Sequence, residues 1–159
     1  MAELPGHVRA LACIPSGLFV LTVGSGAERS AALLSFVQQV GFDPPAVSFA
    51  VKKGRDHLLG LLRTERRFCL AVIPEGDKAM LGHFAAGFAP GIDPLAGIPH
   101  ATSSHGIAYP TAACAHFECE LLGEADWTDH LVLCGKVIGG DAGPEPRPWV
   151  HLRKNGLRY

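Results

Sequence analysis

Long hydrophobic runs are missing from this 159-residue chain. The apolar stretch Leu18-Phe-Val-Leu-Thr-Val23 falls far short of the ~20 residues that a membrane-crossing helix needs. Glu3 stands where a secretory leader would carry positive charge, and no clean hydrophobic block precedes a cleavage site, so no leader is expected. An excess of charge of either sign is missing too. The formal net charge of −1 offers no broad basic field for nucleic acid and no polybasic membrane patch, which leaves a small molecule as the expected ligand. Five cysteines, an odd number without regular spacing, exclude a disulfide framework and point to free thiols in a reducing compartment, the cytoplasm by default. No Gly-x-Gly-x-x-Gly links a strand to a helix, so a doubly wound dinucleotide-binding sheet is excluded. Internal repeats, low-complexity tracts and a nucleophile with an evident partner base are absent as well.

What is present suits one domain over residues 1–159, long enough to bury a core without metal or disulfide. Nineteen glycines and twelve prolines favour short strands joined by turns. A near-neutral, apolar surface favours self-association, and a homodimer is expected.

Leu18–Val23 reads as a strand and Gly24–Ser30 as the turn after it. Arg29–Val40 has helical spacing, with Ala32, Leu33, Phe36, Val37 and Val40 apolar and Gly41 as a C-cap. Ala46–Val51 alternates, with Val47, Phe49 and Val51 on one face and Ala46, Ser48 and Ala50 on the other. The large side chains suit a core, and the small ones let a flat ring lie against backbone. Pro44-Pro45 excludes a helix at the start of this strand. Lys52, Lys53 and Arg55 follow its end, where they would neutralise a ligand phosphate. Asp56 is placed as the N-cap of a helix burying Leu58, Leu59, Leu61 and Leu62, whose free amides and dipole would add to that charge.

Phe68–Ile73 reads as a strand ended by Pro74. Asp77 opens a short helix with Met80 and Phe84 on one face and Gly87 near its end. Ala89–Pro110, rich in Gly, Pro, Ser and His, reads as a surface excursion. Ala113–Leu122 alternates, placing Ala115, Phe117, Cys119 and Leu121 inward and His116, Glu118 and Glu120 outward. Leu131–Ile138 is a strand, Gly139–Pro148 a long turn, and Trp149–Leu152 a last strand before an Asn155-Gly156 turn. The resulting fold is mainly β, an antiparallel barrel with Greek-key links and a few flanking helices.

Phe42-Asp-Pro-Pro45, the strand after it, Lys52-Lys-Gly-Arg55 and the Phe68 strand resemble the flavin reductase-like family of FMN-binding split barrels. The likeness continues through Glu75–Phe88, Asp129-His130 and the closing His151-Leu-Arg-Lys-Asn-Gly-Leu-Arg-Tyr159. It implies a strand and turn in place of a helix before Phe42, and that reading is adopted because Phe42–Pro45 anchors the register. It also implies an oxidoreductase that takes a hydride from NADH or NADPH to reduce bound or free flavin, or that relays electrons to a partner protein; a flavin carrier without turnover is the alternative. Hydride transfer needs two stacked rings rather than an acid–base pair, since the cofactors carry the reactivity.

By the same resemblance, Ser35, Phe36, Val37 and Gln38 line the FMN. Ala50, Val51 and Lys52 follow its ring and ribityl chain, and Lys53 with Arg55 approaches the phosphate. His57, just past the basic loop, is also expected to touch the cofactor. Phe84 and Phe88 border the flavin unless they are simply core aromatics. His130 would stand on the nicotinamide side as the residue closest to the chemistry, or else belong to a plain turn. Apart from the resemblance, Tyr159 is read as either disordered or reaching a partner subunit's site. Leu33, Leu34 and Ala71 depart from the polar residues that relatives carry, removing hydrogen-bond donors. No metal is expected. His100-x4-His105 and Cys114-x4-Cys119 lack zinc spacing, and Cys114 and Cys119 point to opposite faces of one strand.

Overall fold

The computed structural model describes residues 3–158. Helix α1 (Gly6–Ala12) leads to β1 (Ser16–Gly17), β2 (Phe19–Val23), β3 (Ser30–Leu34), β4 (Val37–Phe42) and β5 (Pro45–Lys52). Helix α2 (Asp56–Glu65), β6 (Arg67–Val72) and helix α3 (Lys78–Ala85) follow. Short strands β7 (His100–Thr102) and β8 (Ala108–Pro110) precede the long hairpin of β9 (Ala115–Asp126) and β10 (His130–Ala142), and β11 (Val150–His151) closes the order.

Seven strands form one antiparallel sheet in the order β3-β2-β6-β9-β10-β5-β4. The sheet curls without closing, so β3 and β4 remain edges and the barrel is split. One apolar cluster fills the curl, with Leu21, Phe49, Phe68, Leu121 and Leu133 packed under Leu58, Leu59 and Leu62 of α2. A second lies on the other side of β2, β3 and β6, where Val20, Ala71 and Ile73 meet Met80 and Phe84 of α3 and Leu95 of the following loop. The curl depends on glycine at 135, beside a bulge in β10. A Cβ there would lie 2.5 Å from Phe68 Cζ and 3.0 Å from Cys119 Cβ.

Two strands replace the helical pattern of Arg29–Val40, as the resemblance implied. The physical reason lies in β3, where Ala32 and Leu34 enter the first cluster while Ala31 and Leu33 pack on the second. A strand buried on both faces loses its alternation, and its apolar run then fits a helical period as well. Helix α3 starts as expected, Asp77 accepting from the Met80 amide at 2.9 Å. At α2 the N-cap is Arg55, and Asp56 falls inside the first turn without a capping bond.

Three other expectations need correction. Helix α1 had no counterpart in the sequence reading. Strand β10 runs on to Ala142, through what reads as a turn. Glu118 is 1% exposed rather than outward, because the segment 103–107 covers that face of β9. Ser103 Oγ (2.7 Å), Ser104 Oγ (3.0 Å) and the His105 amide (3.0 Å) donate to its carboxylate, and His105 Nδ1 lies 2.8 Å away. Burial opposes ionisation of Glu118, but these hydrogen bonds outweigh it and hold the carboxyl below its ordinary range.

Candidate functional site

The turn between β3 and β4 is tied to β5, where the Ala50 amide donates to the Phe36 carbonyl at 3.0 Å and extends the β4–β5 ladder. That bond sets Phe36 beside the small face of β5. Two adjoining cavities open here, of about 400 and 290 Å³, sharing Phe36, Ala50, Val132 and Arg153 in their walls. The larger continues along Ser35, Val37, Gln38 and Ser48 to Ile14–Ser16. The smaller runs from Thr128–His130 to the closing turn at Gly156–Arg158.

Both ends of the chain build this cleft. Strands β1 and β11 pair, Ser16 with His151 and Gly17 with Val150, which carries Arg153 into the wall. The closing turn packs on α1 so tightly that a Cβ at Gly156 would sit 2.5 Å from Leu11 Cβ and 2.6 Å from the Val8 carbonyl oxygen. Arg153 is buried. Its Nη1 donates to Ser35 Oγ at 3.4 Å, its guanidinium carbon lies 4.7 Å from the Phe36 ring centre, and its Nε has no partner among the described residues.

On the far side of Phe36 stands His130, the two rings 5.4 Å apart and inclined at 70°. His130 Nδ1 and Asp129 Oδ1 are 2.9 Å apart, which leaves Nε2 as the remaining polar atom of a ring that lines the cleft. The His130 bond holds the Asp129 carboxyl below its ordinary value, slight burial opposing it and the nearby His130 and Lys52 charges assisting.

A third cavity, of about 280 Å³, lies at the start of α2. Arg55, His57 and Phe88 meet there beside Ser30 and Gly54. His57 Nε2 is buried without a partner among the described residues.

The residues singled out from sequence therefore separate. Ser35, Phe36, Val37, Gln38, Ala50 and His130 come together in the cleft, and Arg55, His57 and Phe88 at the α2 cavity. Val51 points into the barrel core, so its backbone alone can border a ligand. Lys52 is exposed at the strand end opposite His130, and Lys53 pairs with Asp126. Phe84 is a core residue at 1% exposure, with the Phe88 ring 5.9 Å away. Leu34 and Ala71 are buried in the two clusters rather than in the cleft. Tyr159 lies outside the described residues.

Arg153 and Val132 were missed as site residues. The Arg153 charge in the closing segment was the available signal, but its partner lies 118 positions away. The metal candidates are scattered, His105 on Glu118, His116 stacked 3.8 Å from the Tyr109 ring centre and Cys119 in the core. Among the described residues no three His, Cys, Asp or Glu gather as ligands. Burial, aided by the nearby Cys134 and Glu118, pushes the Cys119 thiol up to about 12, which makes it a poor nucleophile.

An open antiparallel barrel with a cleft along the small face of β5 and β10 defines a split-barrel class. A model of the flavin reductase like domain matches residues 11–156, and the chain belongs to that family. The chain is 35% identical over 153 residues to diflavin flavoprotein A 1 of Synechocystis sp., a match covering 95% of this chain and 26% of the relative. It thus spans about a quarter of the length of that relative. Among solved structures, it superposes on the NADH:FAD oxidoreductase of Streptomyces globisporus C-1027 with a TM-score of 0.83 and 25% identity, covering 99% of this chain and 95% of the other. The styrene monooxygenase flavin reductase of Pseudomonas putida S12 follows at a TM-score of 0.73 and 25% identity, with 95% and 93% covered. Membership makes this an oxidoreductase domain of the flavin-binding class. Among the described residues no helix is long and apolar enough to cross a membrane.

Proposed function

We propose that the domain binds FMN and reduces it with NADH or NADPH, passing the electrons to a partner protein. The observation that carries this reading is the wall common to the two cleft cavities, in which small Ala50 lies alongside the Phe36 ring and the Arg153 guanidinium stacked over that ring. A flat apolar ring with a polar edge fits such a wall. Two of the three buried side-chain nitrogens that lack a partner among the described residues, Arg153 Nε and His57 Nε2, fit a ligand that offers acceptors at both places.

In this reading Ser35, Phe36, Val37, Gln38 and Ala50 hold the ring. Arg55 and His57, with the amides at the start of α2, hold the phosphate, and exposed Lys52 and Lys53 raise the local positive potential. The flavin supplies two-electron redox chemistry once bound. The residues orient and shield. Phe36 and Val132 exclude water from the ring, and His130, whose Nδ1–H is held by Asp129, orients the nicotinamide donor by accepting a hydrogen bond at Nε2 from its carboxamide. A nicotinamide donor is supported by the similarity to a NADH:FAD oxidoreductase, and relay to a partner by the similarity to the reductase of a styrene monooxygenase.

A second copy is the expected structural partner. Val40 and Phe42 on the edge strand β4 are 52% and 91% exposed, apolar surface of the kind that oligomers cover. Light scattering that gives a monomer mass at all concentrations would remove the dimer.

The test of function is one spectrum, taken from protein reconstituted with FMN, desalted and treated anaerobically with NADH or NADPH. Flavin bands that survive desalting and bleach establish the activity and name the donor. Bands that persist unbleached leave a carrier, and loss of all bands overturns the FMN reading.

A further inference from the structure

We propose that Arg153 sets the redox balance of the bound flavin, its guanidinium meeting the electron-rich edge of the ring and favouring the reduced, negatively charged form. This rests on the FMN reading above. Arg153 is 9% exposed, yet among the described residues no carboxylate pairs with it. A guanidinium carries five N–H donors. Among the described residues its one hydrogen-bond partner is Ser35 Oγ at a long 3.4 Å, and Nε has none. Asp129, the acid of the cleft, is engaged by His130 instead. A buried cation left in this state is costly unless an acceptor completes it.

The place of Arg153 favours the ring over a donor's phosphate. It stands in the wall shared by both cavities beside Ala50, and the Phe36 ring under the guanidinium limits its motion. Flavin reduction by hydride breaks the donor C–H bond, forms N5–H, leaves the nicotinamide as a cation and puts one negative charge on the N1 and C2-carbonyl edge. A fixed positive charge at that edge stabilises the reduced state more than the oxidised one.

The experiment uses the full chain loaded with FMN, as wild type, Arg153→Gln and Arg153→Lys. Dye equilibration reads the flavin midpoint potential, fluorescence quenching reads affinity for oxidised FMN, and a melting curve confirms folding. Arg153→Gln is expected to weaken reduced FMN about tenfold more than oxidised FMN, which lowers the potential by about 30 mV for a two-electron couple. Arg153→Lys, which keeps the charge and loses the planar fork, is expected to stay within about threefold of wild type in that ratio. Should the Gln variant fail to fold, Ser35→Ala, which removes the hydrogen-bond partner, is expected to shift the same ratio at least threefold. Equal losses in both redox states, an unchanged potential, or a raised KM for the nicotinamide donor alone would each overturn the inference. If wild type retains no flavin, the FMN reading falls and this inference with it; if wild type is flavin-loaded and the potentials coincide, only the inference falls.

Discussion

Glu118, at 1% exposure on β9, has its Oε2 2.8 Å from Nδ1 of His105 on the segment that covers it. Two serine hydroxyls and one backbone amide share the same carboxylate. The loop between α3 and β9 is therefore fastened to the sheet by a buried polar knot as well as by Leu95 and Ile107. Removing the acid would strand several donors at once. Glu118→Ala should destabilise the fold by about 3 kcal/mol, lowering Tm by about 6–12 °C in a thermal melt.

The same knot gives an acid limit to stability. Because the folded Glu118 carboxyl is held below its ordinary value of 4.5, its contribution is complete above that pH. It is lost as pH falls from 4.5 through the lowered folded value. Urea midpoints measured down this range should decline in wild type, and more shallowly in Glu118→Gln, which starts from a lower stability.

Gly135→Ala tests the bulge that bends β10. The new methyl would meet Phe68 and Cys119, both 0% exposed. Overpacking of this kind costs about 1–3 kcal/mol, readable as a lower urea midpoint with unchanged slope.

Arg55→Glu separates the α2 cavity from the ring cleft. FMN affinity should fall at least about tenfold, while riboflavin, which lacks the phosphate, should bind as before. Equal losses for both ligands would mean that Arg55 acts elsewhere than on a phosphate.

His130→Ala should slow stopped-flow reduction by the nicotinamide donor about tenfold and change FMN affinity less than about threefold. Asp129→Asn should give a smaller effect of the same kind, since it keeps a hydrogen-bond partner for Nδ1. An unchanged reduction rate in His130→Ala would return the residue to a turn role.

Local pattern made much of this fold legible. The alternation of Val47, Phe49 and Val51 survives as core, and the cap at Asp77 and the Met80–Phe84 pair stand where they were expected. What escaped was decided by tertiary cover. Alternation reads Glu118 as outward because nothing local tells that residues 103–107 will lie over it. Arg29–Val40 misleads for the converse reason, since β3 is covered on both faces. In the site, contiguous pieces such as Ser35–Gln38 could be found, whereas Arg153 acquires meaning only once β1 and β11 pair. The basic loop reads as one group, but Lys53 is drawn to Asp126 while Arg55 faces the α2 cavity.

The cleft wall borrows Ile14–Ser16 from one side of the described chain and Arg153 and Gly156–Arg158 from the other, whose strand pairing is just two residues long. Such short pairings belong to the part of a protein that opens most readily by local fluctuation. Occupancy of the cleft should therefore act as a clasp on both ends, because a ligand that binds only the closed arrangement adds its binding free energy to it. Amide hydrogen exchange near residues 14–17 and 150–158 would then slow when the cleft is filled, while the β9–β10 hairpin, already held by its long ladder, would exchange at an unchanged rate.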